Sequence, residues 1–204
     1  ASDVYKRQME YSAGNVSNLL WFVETRETMR LLNTDSVDNV MNRVIDENVY
    51  QQKDLKRAKR QFNVIRKRLE ALPESLARMI VLSDISTAKL IVFISCMATD
   101  RLLFELVYEV YREKLFLGEK DLSDADLNIF FKNKQDQSEK VAGMSEASIK
   151  KLKQTYCKYM FECGLLAGKP TEKIVAKPYV DQELRYELQR NAMENYLFAL
   201  TGEK

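Results

Sequence analysis

Histidine is absent from all 204 residues. No Ser/His/Asp triad, Cys/His dyad, histidine-ligated zinc or two-His iron site can be assembled from such a chain. Glycine and proline are scarce, 6 and 3, whereas a β-sandwich or barrel needs turn residues about every dozen positions. The cysteines Cys96, Cys157 and Cys163 are odd in number and fall in apolar helical patterns, away from any CxxC pair. They read as buried, reduced core thiols, which fits a cytoplasmic protein. The longest apolar run, Leu90 to Ala98, is about half of what a membrane-spanning helix requires, and no signal peptide is visible. These shortages point to a helical protein that is not an enzyme and takes no metal or other cofactor.

What is present is apolar periodicity and charge. With 46% apolar and 30% charged residues, the chain can bury a core of one large or two small domains. Residues 1–8 do not blend into the helical pattern after them, and Met9 would make a natural start, so the first eight read as a non-native extension. The periodicity predicts helices over 17–33 (capped by Ser17), 36–48, 53–72, 73–82, 85–98 (capped by Asp84) and 100–117, the last stopped by Gly118. A polar stretch, 119–123, is the expected boundary between an N-terminal helical subdomain, 9–118, and a C-terminal one, 119–204. Helices over 124–136 and 145–163 come next, with a loop at 139–144 between them. Residues 169–180 read as a loop with one or two short strands, and 181–200 as a final helix.

The net charge of +2 hides a local extreme. Lys53, Lys56, Arg57, Lys59, Arg60, Arg66, Lys67 and Arg68 crowd one predicted helix, against the single acid Asp54 up to that point. Leu55, Ala58, Phe62, Ile65 and Leu69 form its apolar stripe. Lys53, Lys56, Arg57, Arg60, Lys67 and Arg68 are expected on the opposite face, with Lys59 and Arg66 on a flank. Like charges at (i, i+4) cost a few tenths of a kcal/mol per pair, and a purely structural exposed face more often mixes signs. The pattern suits a polyanion; the plainer reading is a solvated face whose bases pair with acids from elsewhere. Two shorter helices precede the basic one, the order of a helix-turn-helix unit, although the 48–52 connection lacks a glycine. Downstream, 124–136, 145–163 and the strand-like segment have the order of a winged helix. There Lys150, Lys151 and Lys153 point outward, with Lys169, Lys173 and Lys177 on the wing.

Other signals are weaker. Glu105, Glu109 and Glu113 recur every four residues and read as a solvated, salt-bridged face rather than a metal site. The stretch from Gly164 to Pro170 is one residue short of a phosphate loop and ends a helix rather than opening one. Tyr108, Tyr111, Tyr156 and Tyr159 read as core or subunit contacts.

Several segments together resemble the BrxA family of bacterial phage-exclusion (BREX) operons. They are Tyr11-Ser12-Ala13-Gly14, the stretch from Glu47-Asn48 through Arg66-Lys67-Arg68-Leu69, Thr99-Asp100-Arg101-Leu102, Tyr108 to Lys114, Asp124 to Leu127 and Lys140 to Gly143. The similarity covers essentially all of residues 9–203. It implies an all-helical fold likened to the RNA-binding antitermination factor NusB, a nucleic-acid-binding role and service in anti-phage defence.

The expected fold is therefore all-α: a compact, NusB-like multi-helix domain with helix-turn-helix-like units and at most a short β-wing near 169–180. The expected partners are double-stranded DNA and other BREX subunits, with no membrane contact and self-association open. Arg57 and Arg60 are best placed to reach base edges. Two alternatives stand beside this: an RNA-binding factor using the same helix, and a scaffold docking an acidic partner subunit.

Overall fold

Side-chain caps start most of the helices. The computed structural model describes residues 10–203; the extension expected at 1–8 lies outside them. The fold is all-α with one short hairpin, as expected. The chain divides into two compact units, residues 20–99 and the remainder.

Residues 20–99 form α1 (Phe22–Leu32), α2 (Val37–Asp46), α3 (Leu55–Glu70), α4 (Glu74–Leu82) and α5 (Ile85–Thr99). Ser36 caps α2 through the Asn39 amide, Asp54 caps α3 through the Lys56 amide, and Asp84 accepts from the Ser86 and Thr87 amides before α5. Such caps satisfy amides that have no partner inside the helix. α5 is apolar all round, and every residue from Leu90 to Ala98 is buried, as a central helix should be. It packs on α1, α3 and α4. Burying a side chain such as Phe93 or Leu90 contributes about 1.5–3 kcal/mol.

Ser17 does not cap α1. The helix begins five residues later, after Trp21, whose backbone is left-handed at φ 54° and which makes no side-chain cap. Residues 11–18 are held instead by bonds within the other unit. Tyr11 donates to Glu105 at 2.9 Å, Asn15 to Asp100 at 2.7 Å, and Tyr159 to the Asn18 carbonyl at 2.7 Å. The Tyr11–Gly14 segment is thus tied into its unit by polar bonds that helical periodicity does not register.

That unit contains α6 (Arg101–Leu106), a π-helical turn (Val107–Tyr111), α7 (Arg112–Leu117), α8 (Asp124–Gln137), α9 (Glu139–Ala142) and α10 (Glu146–Glu162). The hairpin of β1 (Leu166–Lys169) and β2 (Glu172–Val175) comes next, then α11 (Gln182–Arg190) and α12 (Glu194–Thr201). Gly118 ends α7 at φ 70°. The strands are antiparallel, with Leu166 opposite Val175 and Lys169 opposite Glu172. The polar stretch 119–123 lies inside this unit: Asp121 bridges Ile174, and the Leu122 amide donates to the Lys173 carbonyl at 2.9 Å. The loop expected at 139–144 contains the short α9. The final helix is two, because Ala192 takes φ 56° between α11 and α12.

Candidate nucleic-acid interface

α3 carries the basic cluster, and its position is set by what it buries. Ala58, Gln61, Phe62, Ile65, Arg68 and Leu69 are buried. Lys53, Lys56, Arg57, Lys59, Arg60 and Lys67 are exposed, and Arg66 is half-buried. Arg66 lies 3.6 Å from Glu70. Lys53, Lys56, Arg57, Lys59 and Lys67 form no ion pair with any carboxylate among the described residues. Within the helix, Lys56–Arg60 is a like-charged (i, i+4) pair, destabilising by a few tenths of a kcal/mol, and Lys53 stands just before the Asp54 cap.

Arg68 corrects the expected face. It is only 1% exposed, its guanidinium donates to the Leu20 carbonyl at 3.1 Å, and it lies 5.6 Å from the centre of the Trp21 ring. The buried face of α3 is wider than its apolar stripe. It includes Gln61 on one edge, and Arg68 lies two turns further along that same edge. Leu55, expected in the stripe, is 55% exposed at the first residue of the helix.

The second basic group is also partly spoken for. Lys150 and Lys151 are exposed on α10. Lys153 donates to Asn128 at 2.6 Å and lies over the Phe131 ring, and burial lowers its affinity for a proton. On the hairpin, Lys169 is exposed, but Lys173 is 7% exposed and pairs with Asp124 at 2.8 Å. Of the wing lysines, Lys169 and Lys177 remain near solvent, with Lys177 3.9 Å from Glu203.

Of the carboxylates every four residues, Glu113 is exposed and Glu109 half-buried, but Glu105 is not part of a solvated face. Glu105 is 1% exposed and is bridged by Arg101 at 2.8 Å and by Lys134 at 2.8 Å. Lys134 also reaches Glu109 at 2.7 Å. This is a buried charge network that links α6 to α8. Among the described residues, no group of histidine, cysteine, aspartate and glutamate side chains could hold a metal ion. None of the helices there is long and apolar enough to cross a membrane. All three cysteines are free thiols; Cys96 and Cys163 are buried, and burial pushes the half-buried Cys157 up to about 11.

A cleft of about 790 Å³ lies between residues 177–180 and α11. It brings Tyr179 and Tyr186 together, 78% and 61% exposed. Neither tyrosine was among those the sequence singled out. The available signal was the spacing of Gln182, Arg185, Tyr186 and Gln189, which share one helix face without an aliphatic residue.

Comparison with known proteins bears on the whole chain. The model of the BrxA family matches residues 9–192. The chain is 36% identical over 198 residues to the BREX protein BrxA of Bacillus cereus (strain H3081.97), covering 97% of this chain and 99% of that protein. Its fold matches the crystal structure of an uncharacterized protein from Magnetospirillum magneticum with a TM-score of 0.81 and 20% identity, covering 95% of this chain and 99% of that one. The chain belongs to the BrxA family.

Proposed function

We propose that this chain binds double-stranded DNA, without catalysing a reaction on it, as an accessory component of the anti-phage BREX system. Family membership supports the BREX role. The DNA reading is supported above all by one observation: five exposed cations, Lys53 just before α3 and Lys56, Arg57, Lys59 and Lys67 on it, have no carboxylate partner among the described residues. Such a face is under mutual repulsion in the free protein, and a row of phosphates relieves it by neutralisation and counterion release.

In this reading α2 and α3 act as the helix-turn-helix pair. Lys53, Lys56, Lys59 and Lys67 contact phosphates, while Arg57 and Arg60 stand nearest the base edges. Arg68 and Lys153 hold the fold and contribute no direct contact. Lys150 and Lys151 extend the footprint, and the chain works in the cytoplasm with other BREX subunits.

Gel shifts with duplex DNA, single-stranded DNA and RNA of equal length test this side by side. Duplex DNA should shift at the lowest protein concentration. Tighter binding of RNA would replace the proposal with an RNA-binding role. Failure of all three would leave α3 as a docking face for an acidic partner subunit.

A further inference from the structure

The cleft against α11 takes no part in the basic surfaces of α3 and α10. α11 turns two kinds of face. Leu184, Glu187 and Leu188 are buried, whereas Gln182, Arg185, Tyr186 and Gln189 line the cleft. The opposite wall is the segment Lys177 to Val180, which carries Pro178 and Tyr179. The hydroxyls of Tyr179 and Tyr186 and the side-chain amides of Gln182 and Gln189 have no protein partner among the described residues. Two broad rings and two amides are therefore presented to solvent in one concavity. Two such rings in one concavity offer flat faces on which a planar ligand can stack.

The charges narrow the ligand. Glu203 holds Arg185 through two bonds of 2.9 Å and lies 3.9 Å from Lys177. Glu203 thus offsets one of the two cations, and with so little net charge left a ligand here is held by its flat faces and hydrogen-bonding edges more than by its charge. Nucleobases offer both. Aromatic stacking works on any base, and amide side chains can pair with exposed Watson–Crick edges. In a duplex those faces are stacked and those edges paired, so only unpaired nucleotides qualify.

We propose that this cleft binds unpaired bases of single-stranded nucleic acid, with Tyr179 and Tyr186 as stacking platforms and Gln182 and Gln189 reading base edges. The site lies on α11 and rests on the proposed nucleic-acid function only for its biological setting. A chain with both surfaces would engage a duplex through α3 and a melted or displaced strand through the cleft.

Fluorescence anisotropy with a labelled oligothymidylate and with a duplex tests the proposal and separates the two readings. Tyr179→Ala with Tyr186→Ala should weaken oligothymidylate binding by at least about tenfold and leave duplex binding and the melting temperature unchanged. Tyr179→Phe with Tyr186→Phe should retain the affinity, because the ring faces remain. Salt should weaken oligothymidylate binding far less than duplex binding. The cleft assignment is overturned if wild-type protein does not bind the oligothymidylate, or if the double alanine variant binds it as tightly as wild type. Loss of duplex binding alone would overturn only the proposed role of α3, since the oligothymidylate measurement stands independently.

Discussion

Arg68 donates a hydrogen bond to the carbonyl oxygen of Leu20 at 3.1 Å. That bond takes one cation out of the basic face and uses it to hold the entry to α1. Trp21, the residue after Leu20, sits in the left-handed region at φ 54°, a conformation that bulky residues keep only when their surroundings enforce it. The Arg68 guanidinium over its ring is part of that enforcement. Charge and structure are therefore divided between neighbours: Lys67 is exposed and Arg68 is buried.

That division can be measured by substituting each neighbour in turn. Arg68→Met should cost about 1.5–3 kcal/mol of stability through loss of a charged hydrogen bond, with duplex affinity of the folded fraction unchanged. Lys67→Ala should leave the melting curve in place and weaken duplex binding. A variant of Arg68 that melts normally but binds DNA poorly would reverse the assignment.

The network of Arg101, Glu105 and Lys134 links folding to pH. Burial pushes the Glu105 carboxyl up, but hydrogen bonds from Lys134 and Arg101 outweigh burial and hold it below the usual carboxylate range. A carboxylate with a depressed value stabilises the fold above its unfolded value, about 4.3, and loses that contribution as pH falls through its folded value. Glu105→Gln should cost about 1.5–3 kcal/mol at neutral pH, because Lys134 and Arg101 lose a buried carboxylate while Lys134 keeps Glu109. The stability gap between variant and wild type should narrow on acidification. Urea denaturation at neutral and acid pH checks this, and a gap independent of pH would contradict the role given to Glu105.

The hairpin depends on one glycine. Gly168 has φ +84°, and a Cβ there would stand 2.7 Å from the Glu172 carbonyl oxygen. Gly168→Ala should destabilise by more than about 1 kcal/mol and disturb β2, which carries Lys173 to Asp124. A thermal melt of this variant matching that of wild type would show that the hairpin contributes little to its unit.

Helix starts were legible wherever a short polar side chain precedes an apolar repeat. Ser36, Asp84, Ser123 and Ser145 all precede helices as their side chains predict, whereas Asp54, expected inside a helix over 53–72, caps α3. Ser17 has the same signature and fails, because Asn15, Val16 and Asn18 bond to residues more than eighty positions away. The left-handed turn at Ala192 left no trace either, since alanine favours helix and only its surroundings hold φ at 56°. The π-helical turn at Val107–Tyr111 is similarly hidden within an unbroken apolar pattern.

The basic helix itself was visible from charge counting alone, but which cations reach solvent was not. Arg68, Lys153 and Lys173 look like their exposed neighbours in sequence. Each is engaged by a group distant in the chain: the Leu20 carbonyl, Asn128 and Asp124, respectively. Periodicity finds the face of a helix, whereas only tertiary contacts decide how wide its buried part is.

In the proposed function, exposed cations on and just before α3 neutralise DNA phosphates. The most direct measurement is duplex affinity against salt concentration, for wild type and for Lys56→Glu with Lys59→Glu. α3 has no acidic residue in its first turn, so an acid at position 56 complements the helix dipole and replaces the like-charged Lys56–Arg60 pair by an opposite-charged one, and stability should hold or rise by a few tenths of a kcal/mol. If Lys53, Lys56, Lys59 and Lys67 each neutralise one phosphate, log K should fall against log salt with a slope of about −3.6, and the double variant should show about −1.8 or shallower. A wild-type affinity insensitive to salt, or a double variant with an unchanged slope, would contradict the account.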